Sequence, residues 1–332
     1  MLKYIVKRVL YSILILVGVS FIIYALIRLM PADYLDTQFA DQIANGNVTQ
    51  EQLLEMKKLY GLDDSSFWGI IKGYGSWLGK FVQGDMGVSF KFGEPVSKVI
   101  RDNMWVSFSI SMMAFILQFA ISIPLGIKSA TSQYGAVDYT VTVLAMIGIS
   151  LPTFFLGFLL LKVFSVNLGW FPLQGLTDAT VDWSGNPWGA FWDKVHHLIL
   201  PMLTLVILSI GGLMRHTRTN TLEVLNADYI RTARAKGLSE RSVVYKHAFR
   251  NTMIPLVTMM AGILPSLFGG AMITEEVFAI PGIGQKAYQA LVVGDIPFVM
   301  GYNMFLAVLT VIGTLLADLM YAVVDPRVKI TK

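Results

Sequence analysis

The side chains in this sequence that could carry chemistry are few and scattered. Four histidines are present, His196, His197, His216 and His247, and none stands in the H-x-x-x-H spacing that sets two imidazoles on one helix face around zinc. There is no cysteine, which removes disulfides, thiolate zinc sites and cysteine nucleophiles together. No G-x-S-x-G turn presents a serine nucleophile. A phosphate-cradling G-x-x-x-x-G-K-[ST] loop is also missing: the nearest fragment, Gly79-Lys80-Phe81, lacks both the hydroxyl after the lysine and the earlier glycine. The chain is therefore neither an ATPase nor a hydrolase of these kinds, and no catalytic or metal-ligating residue is assigned.

The surroundings of these residues explain their scarcity. Of 332 residues, 55% are apolar and 14% are charged, against roughly a quarter charged in an average soluble domain. The apolar residues come in blocks at Val9 to Met30, Met104 to Ile127, Tyr139 to Ser165, Leu198 to Met214, Ile254 to Val277 and Phe298 to Val324. Each has about the length a helix needs to cross a hydrocarbon core. The expected fold is an all-α membrane protein with about six transmembrane helices. The first block follows Lys3, Lys7 and Arg8 as a signal peptide would, but it is too long and no small-x-small cleavage site follows it, so it reads as a retained helix.

An even number of spans puts both termini on one side. The N-terminus, Lys128, the segment from Arg215 to Met253 and the C-terminal tail hold fifteen of the Lys and Arg residues, whereas the opposite side holds nine spread over far more chain. The densely basic side is expected to be cytoplasmic. Such placement does not suit nucleic-acid binding. The segment 31–102 is too long for a connector, contains a helical stretch at Gln50 to Leu59, and is expected to be a small extracytoplasmic subdomain. Its ten acidic and seven basic residues either solvate its surface or receive a partner. The permease core would then span 103–325 and the tail 326–332.

Ionisable residues within spans are costly and usually functional. Here Arg28 and Lys162 are placed to snorkel from helix ends, and Asp318 is the one acid with a claim to membrane depth. One acid is not a proton relay, and no inverted repeat is visible, which argues against an ion-coupled secondary transporter. Pro124, Pro152, Pro201 and Pro265 interrupt the spans. The pairs Gly211-Gly212 and Gly269-Gly270 suit close helix packing or lining of a pathway.

About forty residues, Arg215 to Met253, separate the fourth and fifth blocks, far more than joining two antiparallel helices requires. Leu222, Leu225, Tyr229, Ile230 and Ala233 recur at helical spacing and predict an amphipathic helix. Gly237 permits a left-handed turn, and Ser239 is a candidate N-cap for a second helix from Glu240 towards Arg250. Such an element could lie on anionic headgroups, attracted by roughly 1 kcal/mol per basic residue, or dock to a protein.

The run Tyr229-Ile230-Arg231-Thr232-Ala233-Arg234-Ala235-Lys236-Gly237 resembles the glycine-containing loop of ABC importer membrane subunits. More narrowly the chain resembles the dipeptide, oligopeptide and nickel permeases, above all the B-type oligopeptide subunit. Matches run in order along it: Tyr60-Gly61-Leu62-Asp63, Gly84-Asp85-Met86-Gly87-Val88-Ser89, Gly169-Trp170-Phe171-Pro172, Glu275 to Gly284, and Asp325-Pro326-Arg327. The general signature has Glu-Ala-Ala where Arg231-Thr232-Ala233 stands and an earlier Leu-Pro where Ile254-Pro255 stands, differences that the peptide branch tolerates.

The resemblance implies a type I ABC importer fold in a bacterial cytoplasmic membrane. It implies a homologous second permease, two ABC ATPases that hold the ATP and magnesium, and an extracytoplasmic binding protein. No cofactor would be bound by this chain. Ala233, Arg234, Ala235, Lys236, Gly237, Leu238 and Arg241 would couple it to an ATPase. Gly269, Gly270, Glu275, Glu276, Pro281 and Gly282 are pathway or gate candidates. Oligopeptides or dipeptides are the expected cargo, with nickel complexes and glutathione-like molecules as alternatives within the same family.

Overall fold

The computed structural model describes residues 2–29, 43, 49–59, 64, 66–249, 251–253, 256 and 262–324. The Tyr60–Asp63 motif, Ile254-Pro255 and Asp325-Pro326-Arg327 lie outside them, as does the side chain of Asp318. The described residues are almost wholly helical, with one isolated bridge between Val88 and Pro95.

One long helix and two shorter ones make up the described N-terminal part. Helix α1 (Leu2–Arg28) is apolar and largely uncovered by protein, the state of a lipid- or subunit-facing helix. Helix α2 (Gln50–Leu59) occupies the stretch expected to be helical. It starts with a reciprocal cap in which the Thr49 N–H donates to Gln52 Oε1 (2.9 Å) and the Gln52 N–H to Thr49 Oγ1 (3.2 Å). Helix α3 (Phe67–Val82) is capped by Ser66, whose Oγ accepts from the Gly69 N–H. It docks on α1 through Ile70 and Tyr74, and the Tyr74 hydroxyl meets Ser20 Oγ at 2.7 Å.

The core is built on α4 (Val96–Thr131) and α7 (Pro187–Leu225), which form the most extensive pair. They approach so closely at Gly126 that an added Cβ would lie 2.8 Å from the Met214 carbonyl oxygen. Gln118 Nε2 donates to the Ser209 carbonyl and Ser122 Oγ to that of Ile210, bonds that hold helices together where no hydrophobic driving force separates them from lipid.

The block expected at Tyr139 to Ser165 is not one straight helix. Helix α5 (Ala136–Ser150) and α6 (Thr153–Leu160), with its π-helical continuation Leu161–Asn167, meet at 103°. Pro152 has no N–H to continue the ladder and pushes Leu151 out of the helical region, to ψ 131°.

The block at Ile254 to Val277 is likewise interrupted. Its described part is α10 (Ile263–Gly269), a reversal at Gly270, and α11 (Met272–Val277). Helix α12 (Ile283–Val293) leads into α13 (Ile296–Val324). Four single helices among the described residues are long and apolar enough to cross a membrane, and the bent pair makes up to five. Helix α1 runs opposite to α4, α7 and α13, so that residues 28, 96, 187 and 296 share one end of the bundle, the far end. The basic segment hangs from the other, the basic end.

Candidate functional site

The basic segment begins as a continuation of α7, which does not stop at Met214 but runs to Leu225. Thr217 and Thr221 are buried against neighbouring helices, and their hydroxyls bond the carbonyls four residues back, at 2.8 and 2.7 Å. Leu222 and Leu225 thus belong to α7 and not to one amphipathic helix with Ile230. The helix ends because Asn226 caps it, bonding the Leu222 carbonyl, and Ala227 turns extended.

Helix α8 (Asp228–Ala235) then buries Ile230 and Ala233 against Val243 and Ala248. Its end is a Schellman motif. Gly237 has φ +76°, its N–H donates to the Arg234 carbonyl (2.9 Å), and the Leu238 N–H reaches back to that of Ala233 (3.4 Å). The second helix starts at Glu240 as expected, α9 (Glu240–Ser242) with a π-helical continuation Val243–Ala248. Ser239 precedes it without a side-chain cap bond.

Arg234 closes the turn, donating from Nη2 to Glu240 Oε1 at 2.6 Å and from Nε to both carboxylate oxygens. Those bonds hold the Glu240 carboxyl below the usual carboxylate range and push Arg234 up. Arg234 is therefore an internal strut. Lys236 and Arg241 are exposed without an ion pair among the described residues, and Tyr229, Leu238 and Tyr245 expose apolar surface around them. A cleft of about 570 Å³ lies between this element and the α4–α5 corner, lined by Lys128, Arg234, Glu240, Arg241 and Tyr245 among others. Exposed aromatics ringed by free cations suit docking of an acidic-rimmed protein groove.

An ion pair that the sequence reading missed ties α7 to that corner. Arg218 donates from Nε and Nη2 to the two oxygens of Asp138 at 2.7 and 2.8 Å. Asp138 also accepts from Ser129 Oγ and, at 3.0 Å, from the Tyr134 N–H. Its side chain is 6% exposed and that of Arg218 26%. Asp138 stands one residue before the block that begins at Tyr139, and its partner is 80 residues away.

The gate candidates gather at the far end, and one of them organises the rest. Glu275 is 1% exposed. Its carboxylate accepts from the N–H groups of Ala271 (3.0 Å) and Gln285 (2.9 Å) and from the Ser107 hydroxyl of α4, which itself accepts from the Ile283 N–H at 2.8 Å. Gly270 (φ +74°) and Gly282 press against the same carboxylate, and a Cβ on Gly270 would come within 2.5 Å of Oε1. Glu275 thus pins the reversal to α4 and is not free to meet a ligand. Gly269 is buried, its carbonyl accepting from the Tyr302 hydroxyl at 2.6 Å. Pro281 is exposed, and Glu276 is half-buried and touches Gln289 at 3.5 Å.

Three further far-end groups find partners within the fold. Asp295 is fully buried and accepts from Ser89 Oγ (2.5 Å), the Lys91 N–H and the Phe298 N–H, joining the 84–95 loop to the start of α13. His196 Nε2 donates to the Trp170 carbonyl, and Arg28 donates to that of Asp64 instead of snorkelling free. Among the described residues no group of three His, Asp or Glu could hold a metal ion.

The described residues form a bundle of apolar helices with a glycine-turned basic element at one end. Residues 122–330 match the family described as the binding-protein-dependent transport system inner membrane component, and residues 1–113 match its N-terminal companion. The chain belongs to this family. It is 38% identical over 330 residues to an oligopeptide transport system permease protein of Bacillus subtilis, covering 99% of this chain and all of that protein. It is 30% identical to a dipeptide transport system permease protein of Alkalihalophilus pseudofirmus, with 99% and 100% covered. An inward-facing structure of a methionine ABC transporter shares the fold at 19% identity and TM-score 0.53, covering 68% of this chain and 96% of the other. The chain is a permease subunit and not an enzyme.

Proposed function

We propose that this chain forms one half of the translocation path of an ATP-driven peptide importer and that residues 228–248 are where an ATPase subunit grips it. The observation carrying this reading is the helix–Gly237–helix element, pinned by Arg234–Glu240, fixed to the end of a transmembrane helix, and presenting Tyr229, Leu238, Lys236 and Arg241 outward. A loop meant only to join helices would need neither the pinning nor the apolar rim. The relatives' roles in oligopeptide and dipeptide transport systems support peptides as cargo.

In this reading a homologous permease completes the path, two ATPases bind ATP and magnesium, and a binding protein delivers peptide at the far end. The basic end faces the cytoplasm of a bacterium, as its Lys and Arg excess directs. Nucleotide-driven closure of the ATPases favours one of two helix packings, which requires that they bind the two packings with different affinity.

Purification in mild detergent from the native membrane tests the assembly. A second permease, two ATPases and peptide-stimulated ATP hydrolysis are expected, and a chain recovered alone would overturn the reading. Gly237→Val should abolish transport while leaving the protein in the membrane, because valine is strained at φ +76° although open space surrounds the position. Normal peptide uptake by this variant would refute the coupling role.

A further inference from the structure

Helix α3 has two faces, and only one is explained by the fold. Ile70 and Tyr74 pack on α1, while Gly69, Lys72, Gly73, Ser76 and Lys80 recur at helical spacing along the wall of a cavity of about 680 Å³. The cavity lies at the far end of the bundle, between α3, the last turns of α1, the 85–90 loop and the first turn of α13. That volume is in the range of a small-molecule site. Lys58 of α2 joins Lys72 and Lys80 on its wall, and none of the three has an ion pair or hydrogen bond among the described residues.

Two carboxylates also border the space, but Asp64 accepts from the Ser66 N–H and Asp85 from the Gly87 N–H, both at 2.8 Å. Among the described residues, three ammonium groups face two carboxylates on this wall. The Trp77 ring borders it as well, with its indole Nε1 buried. At either end α3 exposes Phe67, Trp68 (75% exposed) and Val82. Aromatic rims with interspersed lysines mark helices that sit at headgroup level. Tyr24 of α1 closes the inner wall of the cavity, and Ile22 and Leu26 are exposed on the opposite face of that helix.

We propose that this cavity seats the phosphodiester headgroup of an anionic phospholipid. One phosphodiester brings a negative charge to the lysine-rich wall and acceptor oxygens for its ammonium groups. Gly73 and Ser76 keep the wall between Lys72 and Lys80 low. The lipid then becomes part of the packing between α3 and the permease helices, a wedge that an uncharged lipid would not replace.

The test uses the full chain within its purified complex, delipidated in detergent and then incubated with phosphatidylglycerol or phosphatidylcholine, bound lipid being counted by native mass spectrometry. One phosphatidylglycerol per chain should be retained over phosphatidylcholine, and K72Q/K80Q should weaken that retention about twenty-five-fold, each ammonium contributing roughly fivefold. Ser76→Trp, which fills the space without changing charge, should also remove it. Equal retention in wild type and both variants, or no preference for the anionic lipid, overturns the site. Displacement of the lipid by millimolar inorganic phosphate would show an anion site without lipid selectivity and overturn the lipid assignment. Cross-linking of the Lys72→Cys variant to the second permease in place of lipid would show that a subunit covers the cavity and overturn the lipid assignment. None of these outcomes depends on ATPase coupling through Gly237.

Discussion

Replacing Asp138 by alanine is the sharpest perturbation of the basic end. It removes the acceptor of four hydrogen bonds, two from Arg218, one from the fully buried Ser129 hydroxyl and one from the Tyr134 N–H. Breaking a buried ion pair by deleting one partner costs about 3–5 kcal/mol. Arg218 keeps 26% of its side chain exposed and so recovers part of its hydration, which lowers that term to about 2 kcal/mol. The stranded Ser129 hydroxyl adds about 1 kcal/mol. A total near 3 kcal/mol is expected. Arg218→Ala should cost about as much, because the Asp138 carboxylate would remain buried.

Since each single variant already loses the pair, the double variant should cost little more than either one, giving a coupling energy of about 2 kcal/mol. Thermal unfolding of the detergent-solubilised complex, supported by a denaturant series, would measure all four corners of the cycle. Additive single and double variants, or an Asp138→Ala change below about 0.5 kcal/mol, would refute the claim that this bridge joins α7 to the α4–α5 corner.

Other expectations follow from the same reasoning. Gly270→Ala must displace the Glu275 carboxylate from its N–H donors as well as adopt a positive φ, so it should cost about 3 kcal/mol. Gly237→Ala, with open space around it, should cost only about 1 kcal/mol, and equal losses in the same unfolding assay would contradict this. Ala279 is held at φ +47° at the end of α11. Ala279→Gly should therefore stabilise the protein by about 0.5–1 kcal/mol, read as a rise in Tm. The Arg234–Glu240 pair lowers the Glu240 pKa, so its contribution is full above the ordinary glutamate range and is lost as pH falls through the depressed folded value. The hydrogen-exchange protection factors of Gly237 and Leu238, corrected for the pH dependence of the intrinsic rates, should stay flat from neutral pH down to about pH 5 and fall only below about pH 4. A loss of protection at about pH 6 would exclude this pair as the cause.

The sequence disclosed features whose causes are local. The helix at 50–59 starts from a Thr49–Gln52 cap written in adjacent residues, and the turn at Gly237 followed by a helix at Glu240 needs only nearby neighbours. Apolar blocks located the long helices, although α4 and α7 run well past their apolar cores: Asn186 caps an exposed extension of α7, and Ser129, Thr217 and Thr221 are buried beyond the other ends. What stayed hidden depends on distant partners. Glu275 looks like an exposed helix-end acid until Ser107 and Gln285 are brought to it, and Asp295 needs Ser89, 206 residues away. The break at Pro152 was visible as a proline, but its 103° consequence depends on what packs on either side.

Helix α7 is one uninterrupted element of 39 residues, about 58 Å long at 1.5 Å per residue. It reaches from the far-end loop to the turn that precedes Tyr229. Pro201 sits within it, fully enclosed, and removes one ladder bond there. From Pro201 to Leu225 is about 36 Å, so a tilt of about 5° at that point swings the lower tip by about 3 Å, by geometry alone. In the proposed coupling the helix would act as a lever pivoting at Pro201, near the far end, so that a small push on the basic element would tilt it as a whole. Stiffening that pivot by Pro201→Ala would shorten the stroke.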